Sequence, residues 1–300
     1  MLVRETYPDK DVAALFEKSF IAVKVNAGKD DGRALAQRFG VQGYPTLLIT
    51  DAKGEEVDRL IGFRPPKKII PELQDILGGK SFAALKKLVE KDASDFKAAV
   101  ALANKLRERD DDASAEELYR KVSLAAAAPA ELRRDADGEL AVIAYFKSRG
   151  RDAGALESFF EKHRDSPAAL TAAQLLVGHY DRKGEEEKLA STVEHLVKHS
   201  KDASAADILN SISWTWLEKG KRPKLALTMA KKAVELDPKN AAILDTLAVA
   251  FSKNGLAKEA LETQRKAVEL APESLRKELE GRLKELEEAA KEDKKPSVRL

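Results

Sequence analysis

Val41-Gln42-Gly43-Tyr44-Pro45-Thr46-Leu47-Leu48-Ile49 is the stretch that decides how the first quarter of this chain folds. Its second half is a short apolar run, Thr46 to Thr50, entered through a glycine and a proline, which reads as a strand. Pro45 has no N–H to give to a sheet ladder, so it belongs at the very start of that strand. Downstream, Asp51-Ala52-Lys53-Gly54 is a turn, and Glu56-Val57-Asp58-Arg59-Leu60-Ile61-Gly62-Phe63 reads as the antiparallel return strand. Upstream, Phe20-Ile21-Ala22-Val23-Lys24-Val25-Asn26 is a second β-branched and aromatic run, also expected to be a strand. Between the two runs, Leu35 and Phe39 stand four apart before Gly40, the pattern of a short helix with a glycine cap.

These motifs, in this order, resemble the second half of a thioredoxin domain. The resemblance also takes in Arg4-Glu5-Thr6-Tyr7-Pro8-Asp9, which is similar to a segment following the Cys-x-x-Cys pair in a bacterial branch of that superfamily. It implies a cis peptide before Pro45 and a substrate-binding loop made of Gly43, Tyr44, Pro45 and Thr46.

The sequence contains no cysteine, and thioredoxin chemistry runs through a pair of thiols. The resemblance places Met1 just after the position of the second cysteine and omits the superfamily's central strand. Two expectations result: the gene starts further upstream, or a redox-inactive remnant repacks or borrows a strand. Without that central strand, the strands at 20–26 and 46–50 are left with unpaired edges. On the first expectation the longer protein is a thiol-disulfide oxidoreductase concerned with cell redox homeostasis, and it is periplasmic or exported if a signal peptide precedes it. As written, the chain is expected to be cytoplasmic and not an enzyme.

Arg64-Pro65-Pro66 introduces a helix over Ile69 to Leu77, closed by Gly78-Gly79, and from Ser81 onward strand signals give way to alanine-rich helical periodicity. The expected organisation is therefore an α/β region over 1–79 and an all-α region over 80–290, with a disordered tail over 291–300. Turn residues recur in the second region at Asp110, Gly150, Gly184, Gly220 and Gly255, spaced 40, 34, 36 and 35 apart. Eight positions before them lie Leu102, Val142, Leu176, Ile212 and Leu247; four before them lie Leu106, Phe146, Tyr180, Trp216 and Phe251. Ala226, Ala233 and Pro238 recur as Ala260, Ala267 and Pro272. Repetition at this period means stacked helix pairs.

Lys232-Ala233-Val234-Glu235-Leu236-Asp237-Pro238 and its counterpart ending at Pro272 resemble the tetratricopeptide repeat. That resemblance implies a solenoid of about five helix pairs with a groove for a protein or peptide partner. The earlier units are degenerate, with Glu139 at a position expected to be apolar. Ser274 to Ala290 reads as an amphipathic capping helix carrying Leu275, Leu279, Leu283 and Leu286. Positions expected to face the groove are Asn104, Ala144, Gly178, Trp214 and Val249, and three further on Arg107, Lys147, Asp181, Leu217 and Ser252. Of these, Asn104, Arg107, Asp181, Trp214 and Ser252 are the chosen partner-contacting set, with Trp214 the aromatic anchor.

Bulk composition narrows the function classes. With 53 basic and 51 acidic residues interleaved, the net charge is +2, and no basic face suggests nucleic acid. No apolar run reaches the length of a membrane span. No phosphate loop or nucleophile motif is present, so no catalytic residue and no cofactor are assigned. His195 and His199, four apart, read as residues of a polar helix surface rather than as metal ligands.

Overall fold

The computed structural model describes residues 6–292. The chain divides into two compact units, residues 1–147 and 148–300.

In the first unit, α1 (Lys10–Ser19) and α2 (Asp30–Arg38) precede a two-stranded antiparallel sheet of β1 (Thr46–Thr50) and β2 (Glu56–Ile61). Each start follows local chemistry. The Asp9 carboxylate caps α1 by accepting from the amides of Asp11 and Val12, the arrangement that satisfies otherwise orphaned donors. Gly40, at φ 58°, ends α2, and the Val41 amide returns to the Ala36 carbonyl at 2.8 Å, closing a Schellman turn. The strands pair Thr46 with Ile61 and Ile49 with Asp58, and a register irregularity falls between Ile49 and Thr50. Val12, Ile49, Leu60, Ile69, Leu73 and Ile76 make the core, with Phe16, Phe20 and Leu47 packed against it. α3 (Pro66–Asp75) starts on a proline, where no N–H is required, and its last turn runs on to Lys80 through Gly79 at φ 87°.

The segment 20–26 corrects the sequence reading. It is not a strand: it joins no ladder, and Ile21 and Val23 are 97% and 77% exposed. Among the described residues β1 pairs only with β2, and no strand stands beside this run to take up its backbone groups. β-propensity without a partner does not make a sheet.

α4 (Phe82–Lys91), α5 (Phe96–Arg107), α6 (Asp112–Leu124) and α7 (Ala130–Lys147) complete the unit. Ala103 and Ala115 are fully buried beside Tyr119, Val122 and Ile143, so α5, α6 and α7 approach closely over small side chains. The buried Asp58 of β2 connects the sheet to these helices, accepting from the Phe82 amide at 3.0 Å and from Arg109, just past α5, at 2.8 Å. The shift from strands to helix pairs near residues 79–81 thus lies inside this unit.

The second unit holds α8 (Gly154–Lys162), α9 (Pro167–Lys183), α10 (Glu186–His199), α11 (Ala203–Glu218), α12 (Pro223–Leu236), α13 (Ala241–Lys253), α14 (Ala257–Leu270) and α15 (Glu273–Glu292). Ala226, Ala233, Ala260 and Ala267 are all but fully buried, which is why small residues recur there. Pro238 and Pro272 come just after the last residues of α12 and α14. All five repeat turns adopt left-handed backbone: Asp110, Gly150, Gly184, Gly220 and Gly255 have φ of 59, 69, 71, 62 and 75°. The periodicity read from the sequence is therefore a backbone periodicity. In the expected capping helix, now α15, Leu279 is buried and Leu275 packs with it. The tail assigned to 291–300 lies outside the described residues from 293 onward, while Lys291 and Glu292 belong to α15.

Candidate functional site

The loop before β1 has the Tyr44–Pro45 peptide in the cis form. The Thr46 hydroxyl donates to the Gly43 carbonyl at 2.7 Å, and the Gly62 amide donates to the Pro45 carbonyl at 2.8 Å. These bonds close the loop on itself and leave the Tyr44 ring 67% exposed. Gly43, Tyr44, Pro45 and Thr46 thus form one short surface feature.

In the repeats, the five positions lying six residues before each turn are Asn104, Ala144, Gly178, Trp214 and Val249. None of them is buried, although their neighbours Ala103, Ile143, Val177, Ser213 and Ala248 are. Helix geometry explains this: a residue pointing away from the paired helix sits beside ones that point into it. Three positions on, Arg107, Asp181 and Ser252 remain partly accessible and Lys147 is exposed, but Leu217 is buried. Leu217, being buried, offers nothing to a partner.

Asn104, Arg107 and Asp181, three polar members of the chosen set, are already engaged. Asn104 accepts a hydrogen bond from the Tyr119 hydroxyl across the α5/α6 pair. Arg107 bonds to Glu139 and lies 3.4 Å from Asp112. Glu139, out of place in an apolar pattern, is thereby matched by a cation. In the second unit Asp181 accepts from Arg222 Nε at 2.5 Å and from the Trp216 indole at 3.3 Å, and Arg222 continues to Glu186 at 2.8 Å. Arg222 holds a left-handed backbone, φ 48°, at the start of α12. Trp214 lies under the guanidinium of Arg282, 5.0 Å from the ring centroid. Among the described residues, Ser252 has no side-chain partner of this kind. Asp181 and Trp214, though in one unit, are tied to different elements, α12 and α15.

Sequence reasoning missed Asp58, Asp245 and Gln264, three polar side chains that are nearly or fully buried. Asp58 also accepts from its neighbour's amide, Arg59, at 2.8 Å and pairs with Lys105 at 2.7 Å. Burial by itself pushes its carboxyl up, but Arg109 and Lys105 outweigh that and hold it below the ordinary 3.8. The alternation of β2, which turns Asp58 and Leu60 to the same face, was the available signal. Around the pair opens a cleft of about 410 Å³ lined by Glu56, Arg59, Phe82, Leu106, Arg109 and Asp111. Its arginines are committed, Arg59 to Glu56 and Arg109 to Asp58 and the Phe82 ring at 4.1 Å.

His195 is not a surface residue, which corrects the sequence reading. It is buried edge-on against Phe160, with His199 stacked on it at 4.3 Å and 16°. Burial lowers its pKa, and His199, Arg164 and Lys198 lower it further against the opposite pull of Asp165. Among the described residues, no group of three or more metal-ligating side chains converges.

Residues 1–77 match the family model described as a thioredoxin-like domain. No curated protein matches the chain. Among solved structures, the chain is similar to one in the crystal structure of the APC/C hetero-tetramer Cut9-Hcn1, at 14% identity and a TM-score of 0.45. That match covers 71% of this chain but only 40% of the other. It is also similar to BtubC (BKLC) from P. vanneervenii, at 15% identity and a TM-score of 0.45, covering 66% of this chain and 90% of that one. Residues 1–77 are thioredoxin-like, and the remainder of the described chain is a helical repeat region.

Proposed function

We propose that this protein is a protein- or peptide-binding scaffold, in which the helical repeats carry the partner and the thioredoxin-like module serves without thiol chemistry of its own. The observation that carries this reading is the set of accessible positions six residues before each turn. Within each unit a like backbone places Asn104 and Ala144, and separately Gly178, Trp214 and Val249, at equivalent repeat positions with different chemistries. An invariant frame with variable surface positions is how repeat proteins build binding faces.

The buried polar groups support the same reading. Asp58 is neutralised by two cations, and Tyr119 and Tyr180 are pushed above the normal phenol value by burial, so neither is poised for proton transfer near neutral pH. These groups order the frame.

The test is capture of partners by the full chain and by a variant carrying Asn104→Ala, Trp214→Ala and Val249→Ala together, with melting curves to show that both are folded. The reading expects the captured set to be lost in the variant. An unchanged set on a folded variant would remove it.

A further inference from the structure

Arg282 does not extend into solvent from α15. Its guanidinium covers the ring of Trp214 on α11, 5.0 Å from the centroid, and its Nε stands 2.9 Å from Asp245 Oδ1 on α13. Asp245 is 6% exposed. An aromatic face beside a carboxylate withdrawn from water is the combination a guanidinium needs, since it stacks as a plane and pairs as a cation. Lysine, a point charge on a flexible stem, uses only part of that arrangement.

Three features show that Arg282 fills this seat incompletely. Its Nε is enclosed but makes no aligned hydrogen bond, so its contact with Asp245 is an ion pair by distance alone. Burial still pushes the Asp245 carboxyl up despite Gln264 and Arg282 beside it. Gln264 is fully enclosed, and its Nε2 donates to Asp245 at 2.7 Å and to the Leu279 carbonyl at 3.1 Å. Both neighbours are acceptors, which fixes the orientation of the amide and leaves its Oε1 with no partner.

The helix that carries Arg282 is also held unevenly. Leu279 is buried, but no α15 residue from 280 to 289 is. That half's ion pairs to other helices run through Arg282 and through an exposed pair, Arg265 with Glu287 at 3.2 Å. One turn back, Glu278 accepts from Arg282 Nη2 at 3.1 Å. Arg282 therefore keeps a carboxylate when it lets go of Asp245.

We propose that Trp214, Asp245 and Gln264 form a receptor for an arginine side chain of a peptide partner, with Arg282 as the internal occupant that the partner displaces. This rests on the reading of the repeats as the partner-binding region and names the chemistry that region recognises. The incoming guanidinium stacks on Trp214, gives aligned N–H donors to Asp245 and finds Gln264 Oε1 as a further acceptor, while Arg282 falls back on Glu278. An occupant tethered to the same chain competes at high effective concentration, so the free protein is self-shielded and selective for partners that bring additional contacts.

The experiment uses the full chain and two capped, otherwise uncharged pentapeptides, one with a single central arginine and one with lysine. Binding is read by two-dimensional NMR at the Trp214 indole N–H, with melting curves for each variant. Arg282→Ala is expected to bind the arginine peptide at least tenfold more tightly than the unaltered chain does and at least tenfold more tightly than it binds the lysine peptide. Adding Asp245→Asn to Arg282→Ala is expected to abolish that gain. Because Asp245 is buried, a second double variant, Arg282→Ala with Trp214→Leu, is read through the Gln264 side-chain amide and is expected to lose the gain as well. Arg282→Ala binding neither peptide, or both equally, overturns the proposal. If partner capture still depends on Asn104, Trp214 and Val249 in that case, the arginine assignment falls and the scaffold reading stands; if capture is independent of them, both fall.

Discussion

Asp58, in the middle of β2, and Arg109, just past the end of α5, meet at 2.8 Å across a sequence gap that separates the thioredoxin-like strands from the first helix pair. Asp58 has no exposed surface, and Lys105 approaches its other oxygen at 2.7 Å. The carboxylate is thus paired by two cations and by the amides of Arg59 and Phe82. Two kinds of structure, one built on period two and one on period 3.6, are joined here by charge rather than by an apolar seam alone.

Removing that charge leaves two cations facing a neutral side chain out of water. Asp58→Asn is expected to destabilise the first unit by about 3–5 kcal/mol, the cost of breaking a buried pair on one side. Denaturant unfolding followed by hydrogen exchange across residues 46–110 measures it, and a change under about 1 kcal/mol would contradict the role given to this pair.

The same carboxylate makes an acid prediction. Its folded pKa lies below 3.8, so its contribution is present above that value and disappears as pH falls through the folded pKa. The melting temperature should drop more steeply between pH 4 and pH 2 for the unaltered chain than for Asp58→Asn.

His195 acts at milder pH. Its folded pKa is lowered below 6.5, chiefly by burial. Above that value both folded and unfolded chains hold it neutral; below it the unfolded chain takes the proton more readily, so folding loses stability. Acidification from pH 7.5 to 5 is expected to lower the melting temperature of the second unit, and His195→Leu to flatten that slope. Equal slopes would show that another group is responsible.

The repeat turns separate two glycine effects. Gly184 sits at φ 71° with open space around it, so Gly184→Ala meets no clash and reports backbone strain alone, about 1–2 kcal/mol of destabilisation. Gly281, in α15 and likewise unobstructed, has ordinary helical backbone. Gly281→Ala is expected to stabilise by roughly 0.5–1 kcal/mol. Thermal melting of the two variants should shift in opposite directions.

Ile21 and Val23 supply a test of the extended segment. With both side chains out of the core, Ile21→Thr and Val23→Thr should change stability by less than about 0.5 kcal/mol. Amides 21–25 should exchange with solvent far faster than those of the β1/β2 ladder, as mass spectrometry of labelled peptides will show.

Much of this protein was legible in its residues. The β1/β2 hairpin, the helix ending at Gly40, the cis peptide at Pro45 implied by the resemblance, and the five left-handed turns all depend on local chemistry, where a glycine, a proline or a short apolar run acts within a few residues of itself. The 20–26 run shows the limit, because a strand exists only if another backbone lies beside it, and propensity carries no information about that neighbour. Asp58 with Arg109, Glu139 with Arg107, and Trp214 with Arg282 and Asp245 are of the same kind. In sequence each is one charge or one ring among many, in a chain that is 35% charged. Only tertiary structure removes a particular few from water, and a charge taken out of water must find its counterpart across elements that the local pattern does not connect.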